Sequence, residues 1–467
     1  MLFCWRVPGT KRHFDAIVIG AGQAGPSLAG RLSAAGMQVA VIERKLFGGT
    51  CVNTGCIPTK TMIASAYAAQ LARRAAGYGV SAGPIAVDMK AVKKRKDEIS
   101  GKSRTGIESW LRGMKNCTVF TGQARFESAR EVRTGDDALT ADRIFLNVGG
   151  RASVGGIEGV DQVSYLTNSS MMDVDFLPEH LVVVGGSYIG VEFAQMFRRF
   201  GSEVTIVERG ERLVGHEDED VSRSISEILE AEGIRIRTGA NCLRLERDGS
   251  GVRVHVNCAS GEPEIRGSHV LLAIGRRPNT DDLGLDRAGV ETDERGYIRV
   301  NDRLETNVEG IWALGDCNGR GAFTHTSYND FEIVAGNLLD DETRRVTDRI
   351  PAYAIYTDPP LGRAGMTEHE VRAAGRRALI GTRPMSKVGR AVEKGESQGF
   401  MKILVDAESQ HILGASILGV GGDEAIHCIL DTMYAGAPFE VLKRAVHIHP
   451  TVCELIPTVL GELKPLS

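Results

Sequence analysis

Two cysteines, Cys51 and Cys56, are the residues whose type and spacing point most directly to chemistry. They lie in the stretch GGTCVNTGCIPTK, with glycines on both sides and a proline two residues after the second thiol. This spacing can close a small disulfide ring beside the start of a helix. A ring this short removes little chain entropy, and an accessible, strained disulfide is the labile, catalytic kind. We therefore predict a working disulfide; the alternative is a pair of unrelated buried cysteines.

A βαβ unit directly precedes the cysteines. The apolar strand DAIVIG runs into Gly20, Gly22 and Gly25, an Ala- and Leu-rich helix follows, and the strand QVAVIE ends on Glu43. Glycines let the backbone approach a pyrophosphate at a helix N-terminus, and the acid accepts from a ribose hydroxyl. The pattern is typical of a dinucleotide-binding fold.

A second unit of the same kind follows later in the chain. The strand LVVVGG leads through Gly185, Gly186 and Gly190 into the helix VEFAQMFRRFG, and the strand EVTIVER ends on Glu208. Ser187 replaces the middle glycine, and its small side chain still permits a close approach. Two such units predict two bound nucleotides.

Composition narrows the class of protein. With 467 residues the chain is long enough for about three domains. A net charge of -4 argues against a nucleic-acid or anionic-membrane partner. The nine cysteines form neither a secreted disulfide framework nor a zinc pattern. We predict a cytoplasmic protein without a metal site, and we interpret residues 1–13 as an extension rather than a signal peptide.

The rest of the chain alternates strands and helices. The stretches Met89–Glu98 and Ser100–Trp110 indicate an amphipathic helix with a solvated face. From about Ile350 the strands GFMKILVD and ILGASILG precede helical sequence from Asp423 to Ala435. This last block carries no nucleotide motif. Two nucleotide units and a redox disulfide together suggest an electron relay from a nicotinamide, through a flavin, to the two sulfurs.

The chain resembles the class I pyridine nucleotide-disulfide oxidoreductases, which include dihydrolipoamide dehydrogenase, glutathione reductase and mercuric reductase. The resemblance covers roughly residues 14–465. It rests on the cysteine stretch, both glycine turns, a second flavin motif TNVEGIWALGD ending at Asp316, and the C-terminal acid-base motif HPTVCE from His449 to Glu454.

The resemblance implies a role for each catalytic residue. Cys51 is expected to attack the acceptor, and Cys56 to be the charge-transfer thiol that faces the flavin. His449, contributed by the other subunit, is expected to take and return the proton while Glu454 orients its ring. An adjacent imidazolium or a positive helix end would lower a thiol pKa and so favour the nucleophilic thiolate.

The resemblance also implies how FAD and the nicotinamide nucleotide are held. Lys60 and Glu192 are expected to pair near the flavin N5, Tyr188 to cover the flavin face, and Asp316 to bind the ribityl chain. His325–Ser327 are expected to open a helix that faces the flavin. The other cofactor-binding candidates are Gly49, Thr50, Gly149 and Gly275.

Glu208 bears on the choice of nucleotide. An acid at the end of the second strand favours a free 2′-hydroxyl and repels a 2′-phosphate, so we predict NADH. Arg209 and Arg212 lie nearby and could accept NADPH, which remains the alternative.

The predicted fold class is α/β, with two Rossmann-like dinucleotide-binding domains and a C-terminal α+β dimerisation domain. The predicted limits are 14–150 and 276–347 for a split FAD domain, 151–275 for the NAD(P) domain and 348–467 for the dimerisation domain. We expect a homodimer whose active sites are shared between subunits.

The acceptor is the least determined part of the prediction. The residues within these motifs most resemble those of mercuric reductase-like flavoproteins, which favours a disulfide or soft metal ion as acceptor. However, the chain has no cysteine after Cys453 to deliver mercury. The alternatives are dihydrolipoamide dehydrogenase, a flavin redox sensor or scaffold with little turnover, and a diaphorase or oxidase. The remaining cysteines are interpreted as packing or incidental residues: Cys4, Cys117, Cys242, Cys258, Cys317, Cys428 and Cys453.

Overall fold

The computed structural model describes residues 11–240, 243–257 and 261–466. Cys4, Cys242, Cys258 and most of the predicted extension 1–13 lie outside the described residues. Of the helices in the described ranges, none combines the length and apolar character that crossing a membrane requires.

The N-terminal part of the chain forms a largely parallel sheet flanked by helices. Its strands are β1 (Lys11–Ile19), β2 (Val39–Glu43), β3 (Cys117–Thr121), β4 (Ala124–Ser128), β5 (Glu131–Thr134) and β6 (Asp137–Leu146), and the short strand β7 (Gly150–Ala152) follows outside this sheet. Its helices are α1 (Ala24–Ala34), α2 (Gly49–Asn53), α3 (Cys56–Arg73) and α4 (Met89–Gly113). The order is β3-β2-β1-β6-β5-β4, and β1 pairs in parallel with both β2 and β6. This is the doubly wound arrangement expected of a nucleotide-binding unit.

Strand β1 begins at Lys11, three residues before the predicted limit at residue 14. Lys11 to Phe14 pair in register with Ala138 to Ala141 of β6, so these residues belong to the sheet and not to an extension. From Ala16 to Ile19 the strand is buried, because it lies between two neighbouring strands and under helices on both faces.

The charged stretch before residue 113 forms the single helix α4, as its pattern predicts. Asp88 caps it by accepting from the backbone N–H groups of Lys90 and Ala91. Its surface is not solvated throughout, since Lys96 is buried and donates to the backbone oxygen of Met172 at 2.7 Å. The charged pattern of the helix predicts an exposed lysine at this position. The segment around Met172 packs over Lys96 and buries it.

A second parallel sheet follows, in the order β10-β9-β8-β14. The elements of this region are β8 (His180–Val184), α5 (Tyr188–Phe200), β9 (Glu203–Val207), α6 (Glu219–Ala231), β10 (Arg235–Arg237), β11 (Leu243–Asp248), β12 (Gly251–Val256), β13 (Glu264–Gly267), β14 (His269–Leu272) and β15 (Arg276–Pro278). Strands β7 and β15 pair antiparallel where the chain leaves the first sheet and where it returns. The pair therefore marks both crossings between the two nucleotide units.

The chain then completes the first sheet. Helix α7 (Leu285–Ala288) leads to β16 (Ile311–Ala313), which lies parallel to β6, and the helix α8 (Thr324–Leu339) follows. A strand added from so far along the sequence makes the first nucleotide unit a split one.

The C-terminal part forms a separate antiparallel sheet with helices. Its order is β17-β18-β21-β20-β19-β22. Its elements are β17 (Ala352–Ile355), β18 (Leu361–Gly365), α9 (Glu368–Ala373), β19 (Ala378–Pro384), α10 (Gly389–Glu393), β20 (Phe400–Asp406), β21 (Ile412–Leu418), α11 (Gly422–Tyr434), α12 (Phe439–Lys443), α13 (Ile456–Gly461) and β22 (Lys464–Pro465). The predicted fold class of two Rossmann-like units and an α+β block is confirmed.

A buried ion-pair cluster ties the second nucleotide unit to this C-terminal sheet. The Lys402 ammonium lies 2.9 Å from Asp218, 2.7 Å from Asp220 and 2.7 Å from Glu368. Lys402 is fully buried. These carboxylates lie close enough together to suggest a cation site, but the ammonium group already supplies the positive charge that they need.

Candidate active site

The two thiols lie on consecutive helix starts. Cys51 is in the short helix α2, and Cys56 is the first residue of α3, with Pro58 in its first turn. The turn before α2 uses left-handed backbone at Gly48 and Gly49, with φ of 90° and 60°. A Cβ on Gly49 would lie 2.9 Å from the Cα of Gly22, so this turn packs directly against the first glycine turn.

The two thiols are unequal. The hydrogen bond from Cys51 lowers the pKa of Cys56 to about 6, against the opposing effect of burial. The Thr324 hydroxyl, 3.2 Å from the Cys56 sulfur, and the Lys60 charge lower the pKa further. The same hydrogen bond and burial raise the pKa of Cys51. Cys56 is therefore poised as the thiolate, and Cys51 needs a base before it can act as one.

One cavity of about 1060 Å³ joins the thiols to the first glycine turn. It brings together most of the predicted catalytic and flavin-binding residues of the chain: Gly20, Gly22, Glu43, Gly49, Thr50, Cys51, Cys56, Lys60, Gly149, Tyr188, Glu192 and Asp316. The predicted residues outside its lining are Gly25, Gly185, Gly186, Gly190, Glu208, Gly275, His449 and Glu454.

The first glycine turn has no room for side chains. A Cβ on Gly20 would lie 2.3 Å from the Asn147 oxygen, and a Cβ on Gly25 would lie 2.2 Å from the Gly20 oxygen. These contacts hold the turn tightly against neighbouring backbone, while Gly20 and Gly22 line the cavity at the N-terminus of α1, where an anionic phosphate is favoured. The volume of the cavity and this glycine turn in its lining fit FAD.

Glu43 lines the cavity at the end of β2, but its carboxylate already has partners. One oxygen accepts from the backbone N–H of Ala21 and the other from that of Lys45, both at 2.8 Å. Each carboxylate oxygen has a second lone pair, which leaves acceptor capacity for a ribose hydroxyl. Glu43 therefore holds the turn in shape as well as facing the cofactor space.

Lys60 and Glu192 form the ion pair that the resemblance implies. Lys60 Nζ lies 2.8 Å from Glu192, which is buried and also accepts from the backbone N–H of Tyr356 at 2.9 Å. The ammonium lies 4.4 Å from the centre of the Tyr356 ring. The pair joins α3, α5 and the C-terminal region on the wall beside the thiols.

Asp316 lies just after β16 and pairs with Arg276, a residue without a predicted role. Arg276 donates to Asp316 at 3.2 Å and to the Gly150 oxygen at 2.7 Å, so it bridges the flavin side to the β7–β15 crossing. The position of Arg276 directly after Gly275, at the end of an apolar strand, is the sequence feature that could have indicated this role. Thr324 is the second residue missed, although it directly precedes the predicted helix start at His325–Ser327.

Tyr188 opens α5 at the boundary between the two nucleotide units. Its ring lies 5.8 Å from that of Phe323, and it lines the cavity. Burial raises the pKa of Tyr188, so its hydroxyl stays protonated. An aromatic ring at this place can separate one cofactor space from the other.

The second glycine turn is as closely packed as the first. A Cβ on Gly190 would lie 1.8 Å from the Gly185 oxygen, and one on Gly186 would lie 3.1 Å from the Glu208 Cβ. Glu208 accepts from the backbone N–H of Gly186 at 2.5 Å and from that of Gly210 at 2.6 Å. The carboxylate thus faces the turn, as an acid that binds a ribose should.

His449 and Glu454 form a hydrogen bond in the C-terminal part. The His449 Nδ1 lies 2.8 Å from the Glu454 carboxylate, and the His449 side chain is 79% exposed. Val446 and Ile448 beside it are 100% and 79% exposed. Within the described residues of one chain the pair lies outside the cavity that holds the thiols.

Comparison with protein families gives two matches. Residues 14–330 match the family described as pyridine nucleotide-disulphide oxidoreductase. Residues 351–460 match the dimerisation domain of the same family.

Curated relatives match over nearly the whole chain. The probable pyridine nucleotide-disulfide oxidoreductase RclA of Escherichia coli is 35% identical over 460 residues, which cover 97% of this chain and 99% of RclA. A dihydrolipoyl dehydrogenase of Thermus scotoductus is 32% identical, with 95% and 96% covered. A mercuric reductase of Streptomyces lividans is 32% identical, with 95% and 94% covered.

A solved structure has the same fold. It is described as the Cu(II) complex of the HOCl-induced flavoprotein disulfide reductase RclA from Escherichia coli. The two chains are 34% identical, with a TM-score of 0.88 and coverage of 96% of this chain and 99% of that one.

Proposed function

Because this chain belongs to the pyridine nucleotide-disulphide oxidoreductase family, we propose that it uses Cys51 and Cys56 to pass electrons from a nicotinamide nucleotide to a disulfide or soft metal ion. The family consists of flavoprotein enzymes and implies FAD and a pyridine nucleotide as cofactors. The observation that carries the proposal is the unequal thiol pair in the cavity that also holds the bare glycine turn.

The residues around the cavity have distinct binding roles in this proposal. Bound FAD would carry two electrons from the nicotinamide to the disulfide. The turn at Gly20 and Gly22 holds the pyrophosphate, and Asp316 holds the sugar chain with Arg276 as its partner. Lys60 and Glu192 fix the wall next to Cys56, and the Tyr188 ring separates this cofactor space from that of the nicotinamide.

The reduced thiols then act in sequence on a disulfide acceptor. His449 of the partner subunit removes the proton from Cys51, whose thiolate attacks one sulfur and releases the first product thiolate. His449 returns the proton to that product. The Cys56 thiolate attacks the Cys51 sulfur, so the Cys51–Cys56 bond forms again, and the second product leaves as a thiolate that takes its proton from solvent. The raised pKa of Cys51 supports this division of labour, because only Cys51 needs the base.

The position of His449 supports active sites shared between two subunits. In one chain, His449 faces solvent beside exposed apolar side chains and apart from the thiols. A second copy would cover Val446 and Ile448 and bring the imidazole to the partner's cavity. The dimerisation domain is consistent with this homodimer.

NADH is the proposed electron donor. Glu208 keeps its carboxylate at the second glycine turn, where it would repel a 2′-phosphate. Arg212 donates to the backbone oxygen of Glu217 at 3.2 Å, so it is already engaged. NADPH would need Arg209 to pair with its 2′-phosphate. Arg209 is exposed at the surface, so such a pair would be weak in water.

The proposed acceptor is a disulfide or a soft metal ion. The relative RclA is described as a disulfide reductase and has been solved as a Cu(II) complex, and a mercuric reductase is also similar. Two neighbouring thiols suit soft metal ions as well as disulfides. Dihydrolipoamide is the second candidate, favoured by Glu208 and by the similarity to a dihydrolipoyl dehydrogenase. A cytoplasmic location is part of the proposal, because a disulfide in a reducing compartment is usually catalytic.

A panel of acceptors tests the proposal. Turnover is measured with mercuric ion, cupric ion, oxidised glutathione and lipoamide, with NADH and NADPH in parallel. Cys56→Ser should abolish turnover of the true acceptor, whereas Cys117→Ser, in a cysteine of strand β3, should retain it. Turnover that survives Cys56→Ser would instead indicate a diaphorase.

A further inference from the structure

A second pair of thiols lies in the C-terminal part of the protein. Cys428 is on α11, and Cys453 begins the short 3-10 turn Cys453–Leu455. Their sulfurs are 4.0 Å apart. Both are half-buried and pack against the core of the C-terminal sheet. Cys117 and Cys317 hydrogen-bond to no other thiol in the described ranges, so this pairing is a specific feature of the two elements.

We propose that Cys428 and Cys453 are a second redox-active pair, which a low-molecular-weight disulfide oxidises to an intramolecular disulfide beside the His449–Glu454 pair. A disulfide bond is about 2.05 Å long, so the two sulfurs must approach each other by about 2 Å. Rotation about the two Cα–Cβ bonds provides movement of that order.

The surroundings assign different roles to the two sulfurs. The single S–H of Cys428 is shared between two acceptors, the backbone oxygen of Ala425 at 3.0 Å and the Cys453 sulfur at 4.0 Å. The hydrogen bond from Cys428 lowers the pKa of Cys453 to about 7. The contact with Cys453 raises the pKa of Cys428. Cys453 is therefore the attacking sulfur and Cys428 the resolving one.

The oxidation balances with oxidised glutathione as the oxidant. The Cys453 thiolate attacks one of its sulfurs, which forms a mixed disulfide and releases one glutathione thiolate. Cys428 then loses its proton to solvent and attacks the Cys453 sulfur, and the second glutathione thiolate leaves. Two protein thiols lose two electrons, and one small disulfide becomes two thiols.

The new bond would act on the acid-base pair through the backbone. Glu454 follows Cys453 directly, and its carboxylate lies 2.8 Å from His449. Drawing Cys453 towards α11 displaces the adjacent Glu454, which orients the imidazole. This effect on turnover rests on the proposed function, whereas formation of the disulfide does not.

Peptide mapping tests the disulfide itself. The full-length, FAD-containing enzyme is reduced with dithiothreitol, freed of reductant, treated with oxidised glutathione and alkylated with N-ethylmaleimide. Trypsin cuts after Lys402, Lys443 and Arg444, so Cys428 and Cys453 fall in separate peptides, 403–443 and 445–467. We expect these two peptides to be recovered as a disulfide-linked pair.

Variants identify the chemistry. Cys428→Ser should trap glutathione on Cys453, Cys453→Ser should leave Cys428 free for alkylation, and Cys117→Ser should give the linked peptides as the wild type does. Recovery of Cys428 and Cys453 in alkylated form, in a sample whose Cys51–Cys56 disulfide has reformed, would overturn the proposal. It would leave the proposed function intact.

Initial rates after removal of glutathione test the coupling to the acid-base pair. Oxidation should lower the turnover of the wild type by at least about tenfold. General acid-base catalysis supplies about a hundredfold or more, and the loss should be smaller than that because the imidazole is still present. Cys453→Ser should keep the same rate before and after treatment. Linked peptides with unchanged wild-type turnover would refute the coupling, and linked peptides in an enzyme that turns over no acceptor would refute the proposed function alone.

Discussion

Replacing Thr324 by valine should weaken the bias of Cys56 towards the thiolate. The Thr324 hydroxyl lies 3.2 Å from the Cys56 sulfur and lowers the pKa of that thiol. Valine has nearly the same shape as threonine but cannot donate a hydrogen bond. Because the thiolate is the form present above the pKa, loss of the donor moves the titration of Cys56 to higher pH.

The size of the effect follows from the contact. A hydrogen bond to a charged group contributes roughly 1.5–3 kcal/mol when it is buried. Cys56 keeps contact with solvent, so we reduce this to ~1 kcal/mol. That energy corresponds to a pKa increase of roughly 0.7. Starting from a pKa of about 6, the thiolate fraction at pH 7 falls from ~90% to ~65%.

Alkylation rates measure this titration. The dithiol form is treated with short pulses of iodoacetamide between pH 5 and pH 9, and the label on Cys56 is read by fragmenting the tryptic peptide 46–60. Thr324→Ser keeps the hydroxyl and is the matched control. We expect the midpoint for Thr324→Val to lie above those of the wild type and of Thr324→Ser. Equal midpoints for the valine and serine variants would refute the reasoning.

Three further changes probe other parts of the protein. Gly190→Ala places a Cβ 1.8 Å from the Gly185 oxygen, so the KM for the nicotinamide nucleotide should rise by at least about tenfold; an unchanged KM would contradict this packing. His449→Gln should lower kcat by roughly 10²–10⁴ without slowing reduction of the thiols by NADH in stopped-flow measurements. Lys402→Met removes the cation shared by three carboxylates. It should lower the free energy of unfolding, measured in urea, by about 3–5 kcal/mol. A loss below about 1 kcal/mol would contradict the role of this cluster.

The parts of the fold that the sequence predicts well are those encoded by neighbouring residues. The glycine turn from Gly20 to Gly25 requires bare backbone, and only glycine meets that requirement, so the turn is visible in the sequence. The helix start at Cys56 is also local, since Gly55 and Pro58 flank it. Short, continuous apolar strands next to the glycine turns predict the two parallel sheets for the same reason.

Contacts between distant segments could not be read in this way. Arg276 meets Asp316 only because β15 and β16 converge on the cavity, and Thr324 meets Cys56 across 268 positions of sequence. The pairing of Cys428 with Cys453 likewise depends on how α11 packs on the C-terminal turn. Each of these contacts is set by tertiary packing, which has no signature in residue spacing.

Transfer of electrons from the nicotinamide nucleotide to Cys51 and Cys56 can be measured directly. The FAD-containing enzyme with its Cys51–Cys56 disulfide formed is mixed with one equivalent of NADH without oxygen, alkylated within one turnover, and mapped at peptide 46–60. We expect both cysteines to become alkylated, and a soft metal ion or disulfide acceptor added before the alkylating reagent to protect both again. If Cys51 and Cys56 stay oxidised while the acceptor is still reduced, the disulfide is not on the electron path.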